Sequence, residues 1–163
     1  MKRPDERIED AFDYSPETGI LTRKFKGGHE RAAGTRKAHK GYTKIGFNGH
    51  EYPAHRLIWW LVYGALPTRF IDHVNGDRSD NRLCNLRLAT DAENKRNVGI
   101  RAHNTSGFKG VTWDKDNRKW LAHATLNGKG YHLGRYTTAE NAARAYRDFA
   151  KKNHGDFYRG NPQ

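Results

Sequence analysis

The stretch of sequence that is most informative about the fold is FIDHVNGDRSDNRLCNLRLATDAEN, residues 70–94. Its apolar and β-branched residues predict two short strands, Phe70–Val74 and Leu86–Ala89. The segment 75–82 between them is rich in Asn, Asp, Gly and Ser, the residues that form turns. Thr90 followed by Glu93 fits a capping box, so a helix should begin at Asp91. The predicted local order is strand, loop, strand, helix.

Four polar residues of this stretch are candidates for chemistry: Asp72, His73, Asn85 and Asn94. A hard divalent cation takes carboxylate and amide oxygens, which Asp72 and Asn94 supply. A histidine with an ordinary pKa of about 6.5 can take a proton from water, the step that phosphodiester hydrolysis requires. Adjacent residues of a regular strand point to opposite faces, so Asp72 and His73 share a site only if the strand ends there. The alternative is that the Asp and Asn side chains of the loop brace their own backbone.

Upstream, the sequence begins with a predicted short helix and strand. Pro4-Asp5-Glu6 followed by Ile8, Ala11 and Phe12 indicates a helix with acids at its positive end. Gly19–Thr22 is a predicted strand. The basic, glycine-rich segment Arg23–Lys40 is predicted to be an exposed loop, either simply solvated or an arm that contacts phosphates.

A hairpin and a second helix come next. Asn48-Gly49 favours the positive φ angles of a type I′ turn and joins the predicted strands Tyr42–Phe47 and Glu51–Tyr52. Apolar spacing over Arg56–Tyr63 predicts a buried helix that ends at Gly64. His55 is expected to cap this helix or pack at its start.

The C-terminal third predicts a small antiparallel sheet and one helix. The predicted strands are Gly110–Trp113, Trp120–Leu126 and Tyr131–Leu133, with Asn127-Gly128 turning between the last two. Thr137 and Glu140 fit another capping box, ahead of a helix whose apolar face is mostly alanine and which ends at His154-Gly155. The segment between Asn97 and Ser106 has no periodicity and is the predicted domain boundary.

Composition and charge point to a polyanionic partner. The 163 residues include 30 Lys+Arg and 18 Asp+Glu, a net charge of +12. Residues 1–100 hold 18 basic and 13 acidic residues (+5) and residues 101–163 hold 12 and 5 (+7), so the C-terminal part is denser in charge. Such an excess suits DNA or RNA, although a merely soluble basic domain is the alternative.

Several classes are excluded or made less plausible by the same counts. The longest apolar run, Leu57–Tyr63, is too short to span a bilayer, so no membrane partner is expected. One cysteine, Cys84, excludes a disulfide framework and a zinc site built on paired cysteines. The first residues lack a signal-peptide core, which favours an intracellular, cytoplasmic protein.

The central motifs closely resemble those of the HNH homing endonucleases of phages. The resemblance spans roughly Tyr14 to Asn97 and is carried by these segments: His55-Arg-Leu-Ile-Trp59, Gly64-Ala-Leu-Pro67, Ile71-Asp-His-Val-Asn-Gly-Asp-Arg78, Asp80-Asn-Arg-Leu83, Asn85-Leu-Arg-Leu-Ala-Thr90 and Glu93-Asn94. It implies a ββα-metal fold, a phage origin and a homing life cycle inside the host cell.

The resemblance also implies roles for single residues. His73 would be the general base that activates water, Asp72 and Asn94 would hold a magnesium-like ion, and Asn85 would brace the loop. Asn97, one turn past Asn94, is the alternative metal ligand. Other HNH enzymes carry zinc-binding cysteine pairs that this chain lacks, so no structural zinc is expected. The scaffold should instead pack around these residues: Trp59, Trp60, Leu83, Leu86 and Leu88.

The C-terminal part resembles an APETALA2-type (ethylene-responsive-factor) DNA-binding domain over about 60 residues. The segments that carry this resemblance are Ser106-Gly-Phe-Lys-Gly-Val-Thr-Trp113, Lys119-Trp-Leu-Ala122, His132-Leu-Gly134, Thr137-Thr-Ala-Glu140 and Ala142-Ala-Arg-Ala-Tyr146. In that family the sheet enters the major groove of DNA, as a β-sheet reader can.

Strand alternation divides the sheet residues into two faces. Those expected toward the helix are Val111, Trp113, Trp120, Ala122, Ala124 and Tyr131. Those expected toward DNA are Thr112, Lys119, His123, Thr125 and His132, with Lys109, Lys115 and Arg118 at the rim. The guanine-reading arginines of the plant family align here with Lys109, Thr112 and Thr125, so base specificity is not carried over. Trp113 and Trp120 are expected to be core.

The sequence therefore predicts an α+β protein with an N-terminal ββα-metal (HNH) nuclease domain, residues 1–97, a linker, 98–105, and an APETALA2-type domain, 106–163. The predicted function is a magnesium-dependent DNA endonuclease that acts as a nicking monomer or as a double-strand-cutting homodimer. The alternative is a non-catalytic DNA-binding regulator with a remnant HNH unit. An RNA-binding protein is the third possibility.

Overall fold

The computed structural model describes residues 8–34, 36–37, 41–100 and 103–159. The chain divides into two compact units, Met1–Asp91 and Ala92–Gln163. Both units combine helices with antiparallel strands, so the predicted α+β class is confirmed. The two compact units divide after Asp91, earlier than the predicted linker at 98–105. The predicted domain limits stay a prediction.

The described part of the N-terminal unit starts with a four-residue helix, followed by two small antiparallel sheets. Helix α1 is followed by a sheet of order β1-β2-β3 and then by a sheet of order β4-β5-β6. The bounds of these elements are α1 Ile8–Ala11, β1 Phe12–Tyr14, β2 Leu21–Lys24, β3 Glu30–Ala32, β4 Arg36–Lys37, β5 Thr43–Phe47 and β6 His50–Pro53. The start of the predicted helix, Pro4-Asp5-Glu6, lies outside the described residues.

The prediction that Arg23–Lys40 is an exposed loop is wrong for its described part. The end of β2, all of β3 and all of β4 lie within it. Contacts made after folding accommodate the charges: Lys24 pairs with Asp13 at 2.7 Å, and the Arg23 guanidinium lies 5.3 Å from the centre of the Phe25 ring. All three β3 side chains are exposed, so β3 carries no hydrophobic alternation by which it could be recognised. Lys40 lies outside the described residues.

The predicted hairpin and helix are confirmed. Asn48 and Gly49 have φ angles of 48° and 73° between β5 and β6, as a type I′ turn requires. Helix α2 is Ala54–Tyr63. Gly64 ends it with a φ of 68°, and its N–H donates to the carbonyl of Trp60.

The core of the N-terminal unit joins α1, α2 and strands of both sheets. Its buried apolar residues are Ile8, Phe12, Leu21, Ile45, Phe47, Tyr52, Ala54, Leu57, Ile58, Ile71 and Leu86. Trp59 and Trp60 pack against this core but are only partly buried. The expectation that Leu88 belongs to the scaffold is wrong, because Leu88 is 39% exposed. Periodicity places Leu88 on the same side of its strand as Leu86, but it does not tell how far along the strand the core extends.

The predicted order of strand, loop, strand and helix is present. Strand β7, Phe70–His73, pairs with β8, Leu86–Ala89, as a two-stranded antiparallel ribbon. Helix α3, Asp91–Arg96, follows. The loop of the ribbon ends in a short 3₁₀ helix, Leu83–Asn85.

The second unit holds a three-stranded antiparallel sheet of order β11-β10-β9 packed against helix α4, as predicted. The bounds are β9 Val111–Asp114, β10 Lys119–Leu126, β11 Lys129–Tyr136 and α4 Ala139–His154. Small residues of the helix, including Ala142 and Ala150, are fully buried. The N-cap of α4 is Thr138, whose hydroxyl accepts from the Asn141 amide at 3.3 Å, so the predicted capping box at Thr137 and Glu140 is one residue early.

Gly110 shows how closely sheet and helix approach each other in this unit. Its φ is 71°, and a Cβ added there would overlap the ring of Tyr146 on α4. Within the described residues, no helix has the length and apolar character needed to cross a membrane.

We expect Gly110→Ala to lower the free energy of unfolding of this unit by about 2–4 kcal/mol, because it combines a strained backbone with overpacking. Gly128→Ala is the matched control: Gly128 has a φ of 79° but nothing within 4 Å of an added Cβ. It should lose only about 1 kcal/mol. Urea unfolding of the full chain, followed through the NMR amide signals of β10 and α4, measures both. Equal losses in the two variants would contradict the close-packing account.

Candidate active site and nucleic-acid interface

The β7–β8 ribbon presents Asp72 and His73. Asp72 lies opposite Arg87 and His73 lies opposite Leu86. Both side chains are buried, with 5% and 3% of their surface exposed. The strand ends at His73, whose carbonyl accepts from the Gly76 amide at 2.8 Å in the turn that follows. Asp72 and His73 could share a site only if their strand ended at this point, and the strand does end at His73.

His73 is held by a residue of the same loop. Its Nε2 lies 3.2 Å from Oδ1 of Asn81. Burial lowers the pKa of His73, even though the Asn81 hydrogen bond and the Asp72 carboxylate favour the protonated form. Burial therefore favours the neutral form of the imidazole. With Oδ1 of Asn81 assigned as the acceptor, Nε2–H is the donor and Nδ1 is the basic nitrogen.

Two aromatic side chains from outside the ribbon pack around this histidine. The His55 ring, from the first turn of α2, meets the His73 ring edge-on at 5.2 Å. Tyr42 lies 5.3 Å from His55 and 6.1 Å from His73, and the Arg78 guanidinium lies 4.8 Å from the centre of the Tyr42 ring. Burial, with smaller contributions from His73 and Arg56, lowers the pKa of His55 to about 3. His55 is thus a neutral packing partner of His73. Of the two roles expected for His55, capping the helix or packing at its start, the structure shows packing.

Asp72 is engaged by an arginine across the ribbon. Nε and Nη2 of Arg87 donate to Oδ2 of Asp72 at 2.9 and 2.8 Å. Arg87 was not among the predicted site residues. A signal for it existed, since an antiparallel ribbon with this register places residues 72 and 87 directly opposite each other.

The predicted metal ligands have suitable chemistry, since a carboxylate and an amide oxygen are hard donors that suit magnesium. Asn94 is half-buried on α3, in the second compact unit. Asn97, the alternative ligand, is buried, and its amide donates to the carbonyl of Glu93 at 3.2 Å. In the described ranges, no three His, Cys, Asp or Glu side chains cluster as a metal site. The pairing of Asp72 with Asn94 stays a prediction.

Asn85 makes the hydrogen bonds of a residue that braces the loop, which is the structural role implied by the resemblance. Its Oδ1 accepts from the Asn75 amide at 2.9 Å, and its Nδ2 donates to the Asp80 carbonyl at 2.7 Å. Its own carbonyl accepts from the Val74 amide at 2.9 Å. These bonds connect both ends of the loop with its middle.

The middle of the loop is fixed by charge and by the N-terminal sheet. Arg82 donates to both oxygens of Asp80 at 2.9 and 2.6 Å, and these hydrogen bonds lower the pKa of Asp80 to about 2. The Tyr14 hydroxyl donates to the Asn81 carbonyl at 2.8 Å. The backbone of Asn81, the partner of His73, is therefore held by Tyr14, and its Nδ2 donates to the Ser79 carbonyl at 3.3 Å. Asn81 lies in the segment Asp80-Asn-Arg-Leu83 that carries the resemblance, but its contact with His73 is not visible in the sequence.

The exposed face of the C-terminal sheet carries most of the residues predicted to contact DNA. Thr112, Lys119, His123, Thr125 and His132 are all exposed. His123 and His132 lie directly opposite each other on β10 and β11. Lys115 and Arg118 are exposed in the turn between β9 and β10. Arg135, which sequence reasoning missed, is exposed as well and donates through Nε to Asp114 at 2.7 Å.

Two residues of this unit differ from expectation. Trp113 is 44% exposed and meets the half-buried Trp120 edge-on at 5.0 Å, so the core assignment is wrong for Trp113. Trp113 lies on the edge strand β9. Strand alternation predicts which face of the sheet Trp113 is on, but it does not predict how much of that face the helix covers. Lys109, predicted at the rim, donates through Nζ to the carbonyls of Arg96 and Val98 at 2.6 and 2.7 Å.

Comparison with known proteins identifies both parts of the chain. The sequence matches the family model for an HNH endonuclease over residues 52–96 and that for an AP2 domain, the APETALA2 type, over residues 106–156. Protein 3.8 of Escherichia phage T7 is 35% identical over 106 residues, which cover 64% of this chain and 87% of that protein. An uncharacterized HNH endonuclease, L560, of Acanthamoeba polyphaga mimivirus is 31% identical over 119 residues, and this chain spans 60% of its length.

One solved structure is also similar. It is described as DNA binding and cleavage by the HNH homing endonuclease I-HmuI. The TM-score is 0.46 at 20% sequence identity, with 94% of this chain and 91% of the other covered.

The buried His55 should make the N-terminal unit sensitive to acid. Its folded-state pKa of about 3 lies below that of the unfolded chain, so the unfolded state binds more protons between about pH 6.5 and 3. The free energy of unfolding should therefore decrease as the pH is lowered through this window. For this one group the decrease is at most about 1.4 kcal/mol per pH unit. In His55→Phe this part of the pH dependence should disappear. Hydrogen exchange of the α2 amides at pH 7 and pH 4.5 measures it, and identical pH dependence in both proteins would contradict the assignment.

Proposed function

The chain belongs to the HNH endonuclease family and carries a C-terminal AP2 domain, and from this premise we propose that it is a divalent-metal-dependent endonuclease that hydrolyses phosphodiester bonds in duplex DNA. The observation that carries the proposal is the state of His73: a buried imidazole at the end of β7, with its Nε2 on Asn81. A neutral histidine held in this way is suited to take a proton.

In the proposed reaction, Nδ1 of His73 takes a proton from a water molecule as the water oxygen bonds to phosphorus. The ester bond to the leaving sugar oxygen breaks, and that oxygen departs with the bonding electron pair. Asn81 holds the ring orientation through Nε2, and Asn85 holds the loop that carries Asn81. Asp72 and Asn94 would hold a magnesium-like ion, and such an ion would supply stabilisation of negative charge on the phosphate oxygens. Arg87 orients the Asp72 carboxylate through Oδ2.

We propose duplex DNA as the partner and the exposed face of the C-terminal sheet as the surface that contacts it. The net charge of +12 favours a polyanion, and a sheet fits the major groove of B-form DNA but not the narrow major groove of A-form RNA. The uncharged Thr112 and Thr125, and the lysine at 119, suit contacts to the DNA backbone more than to base edges. Holding DNA at one unit raises its local concentration at the other. The proposed place of action is the interior of a host cell.

The direct test is cleavage of a supercoiled plasmid that carries the DNA flanking the gene, incubated with magnesium or with EDTA. We expect nicked or linear product only with magnesium, and a loss of about 10²–10⁴-fold in rate for His73→Ala, because the general base is removed. Nicked product indicates a one-strand cut and linear product indicates two cuts. Salt-sensitive binding without product in magnesium or manganese would favour the non-catalytic regulator, in which the Asp72–Arg87 ion pair is purely structural.

The hydrogen bond from Asn81 makes a separate prediction. Asn81→Ala should slow single-turnover cleavage by roughly tenfold or more while leaving DNA affinity unchanged, because His73 loses the group that fixes its ring. Ser79→Ala is the matched control, since Ser79 lies in the same loop and bonds to Asp77 rather than to His73. Equal rates for the two variants would remove Asn81 from the mechanism.

The DNA-contacting face makes a prediction about salt. Lys119→Met should weaken DNA binding several-fold and reduce the slope of log Kd against log salt by about 1, because one phosphate contact is lost. Lys151→Met, at an exposed lysine in the last turn of α4, is the control for the loss of one charge. Fluorescence anisotropy with a labelled duplex at several salt concentrations measures both, and equal slopes would contradict the assignment of the face.

A further inference from the structure

Lys109 was predicted to contact DNA, but its ammonium group bonds to backbone carbonyls of this chain. Among the described residues, it is the one member of the predicted DNA-contacting set that does so. Its Nζ donates to the carbonyl oxygens of Arg96 and Val98 at 2.6 and 2.7 Å. The side chain is half-buried, and burial, with the nearby Arg159, lowers the pKa of its ammonium group. Two of the three N–H groups are thus used within the second unit.

One of these carbonyls belongs to Arg96, the last residue of α3, and the other belongs to Val98, two residues beyond the helix. The last carbonyls of a helix have no partner within the helix, and a cation placed there also opposes the negative end of the helix dipole. A helix of six residues is too short to be stable by itself. In the part of the chain that the structure describes, no α3 side chain is buried, so packing contributes little to holding it.

A second contact holds the same end of α3. Nη2 of Arg96 donates to Oδ1 of Asn127 at 3.0 Å, and Asn127 lies in the turn between β10 and β11. Arg96, the last residue of α3, is therefore bonded through its backbone carbonyl to Lys109 and through its side chain to Asn127. Asn94, one of the proposed metal ligands, lies two residues before it on the same short helix.

We propose that Lys109 is a positioning residue for the nuclease reaction: it anchors the C-terminal end of α3, and with it Asn94, to the C-terminal sheet, and it does not serve as a DNA contact. This inference rests on the proposed function, because Asn94 is a metal ligand that needs positioning only if the chain is a metal-dependent nuclease.

The test compares Lys109→Met with Lys119→Met and Lys151→Met in the full chain. For Lys109→Met we expect a roughly tenfold rise in the magnesium concentration that gives half-maximal plasmid cleavage, the usual effect of losing a residue that supports a ligand. Its DNA affinity should match that of Lys151→Met. Lys119→Met should show the reverse, with weaker DNA binding and an unchanged magnesium requirement. An unchanged requirement in Lys109→Met, or a loss of DNA affinity equal to that of Lys119→Met, overturns the proposal.

Two further measurements do not depend on activity. The Asn97 amide, which donates to Glu93, should exchange its hydrogen faster in Lys109→Met than in the unmodified chain. In a His73→Ala background, calorimetric titration with Mn²⁺ in the presence of duplex should show about tenfold weaker binding when Lys109 is also replaced. Unchanged exchange and unchanged Mn²⁺ affinity overturn the proposal.

Asn127→Gly serves as the second variant if Lys109→Met fails to fold. It removes only the side-chain bond to Arg96, and glycine tolerates the positive φ of 51° at this position. It should shift the magnesium requirement in the same direction by a smaller factor, and no shift contradicts the anchoring account. If the unmodified chain cleaves no plasmid, the proposed function fails. If it cleaves and these variants match it, only the positioning role fails.

Discussion

The loop between β7 and β8 is the constraint on which the site depends. Asn85 bonds to the backbone at Asn75 and at Asp80, so hydrogen bonds connect the two ends of the loop with its middle. This fixes Asn81, which in turn fixes the ring of His73. The antiparallel register sets Asp72 opposite Arg87 in the same ribbon. The proposed base and the proposed ligand carboxylate therefore depend on one set of short-range backbone and amide contacts.

Much of the fold could be predicted from the sequence, because its signals are local. The Asn48-Gly49 and Asn127-Gly128 turns, Gly64 after α2 and the alanine face of α4 each depend on the conformation or size of single residues. The strands within Arg23–Lys40 could not be predicted, since they are stabilised by pairing with other strands, as β4 pairs with β5. The exposure of Trp113 and of Leu88 likewise depends on where a packed layer ends.

The site was predictable to a similar extent. Residue type and spacing indicated Asp72, His73 and Asn85, and the structure places all three on one braced ribbon and loop. Their neighbours in the fold could not be assigned to the site, because these contacts arise only on folding. His55, expected only to cap or pack at the start of α2, packs against His73. Tyr42 comes from the segment before β5, and Asn81 from a loop where asparagine commonly braces backbone. Lys109 is the converse case: the resemblance implies a DNA contact, but its ammonium group donates to the carbonyls of Arg96, the last residue of α3, and of Val98, two residues beyond it.

The central claim is that His73 is a neutral base whose Nε2–H is committed to Asn81 and whose Nδ1 accepts the proton. The most direct measurement is the ¹⁵N NMR spectrum of the His73 ring at pH 7, in the unmodified chain and in Asn81→Ala. The account predicts a protonated Nε2 and an unprotonated Nδ1, with a mixture of tautomers once Asn81 is replaced. A proton on Nδ1, or an imidazolium ring in the unmodified chain, would contradict it.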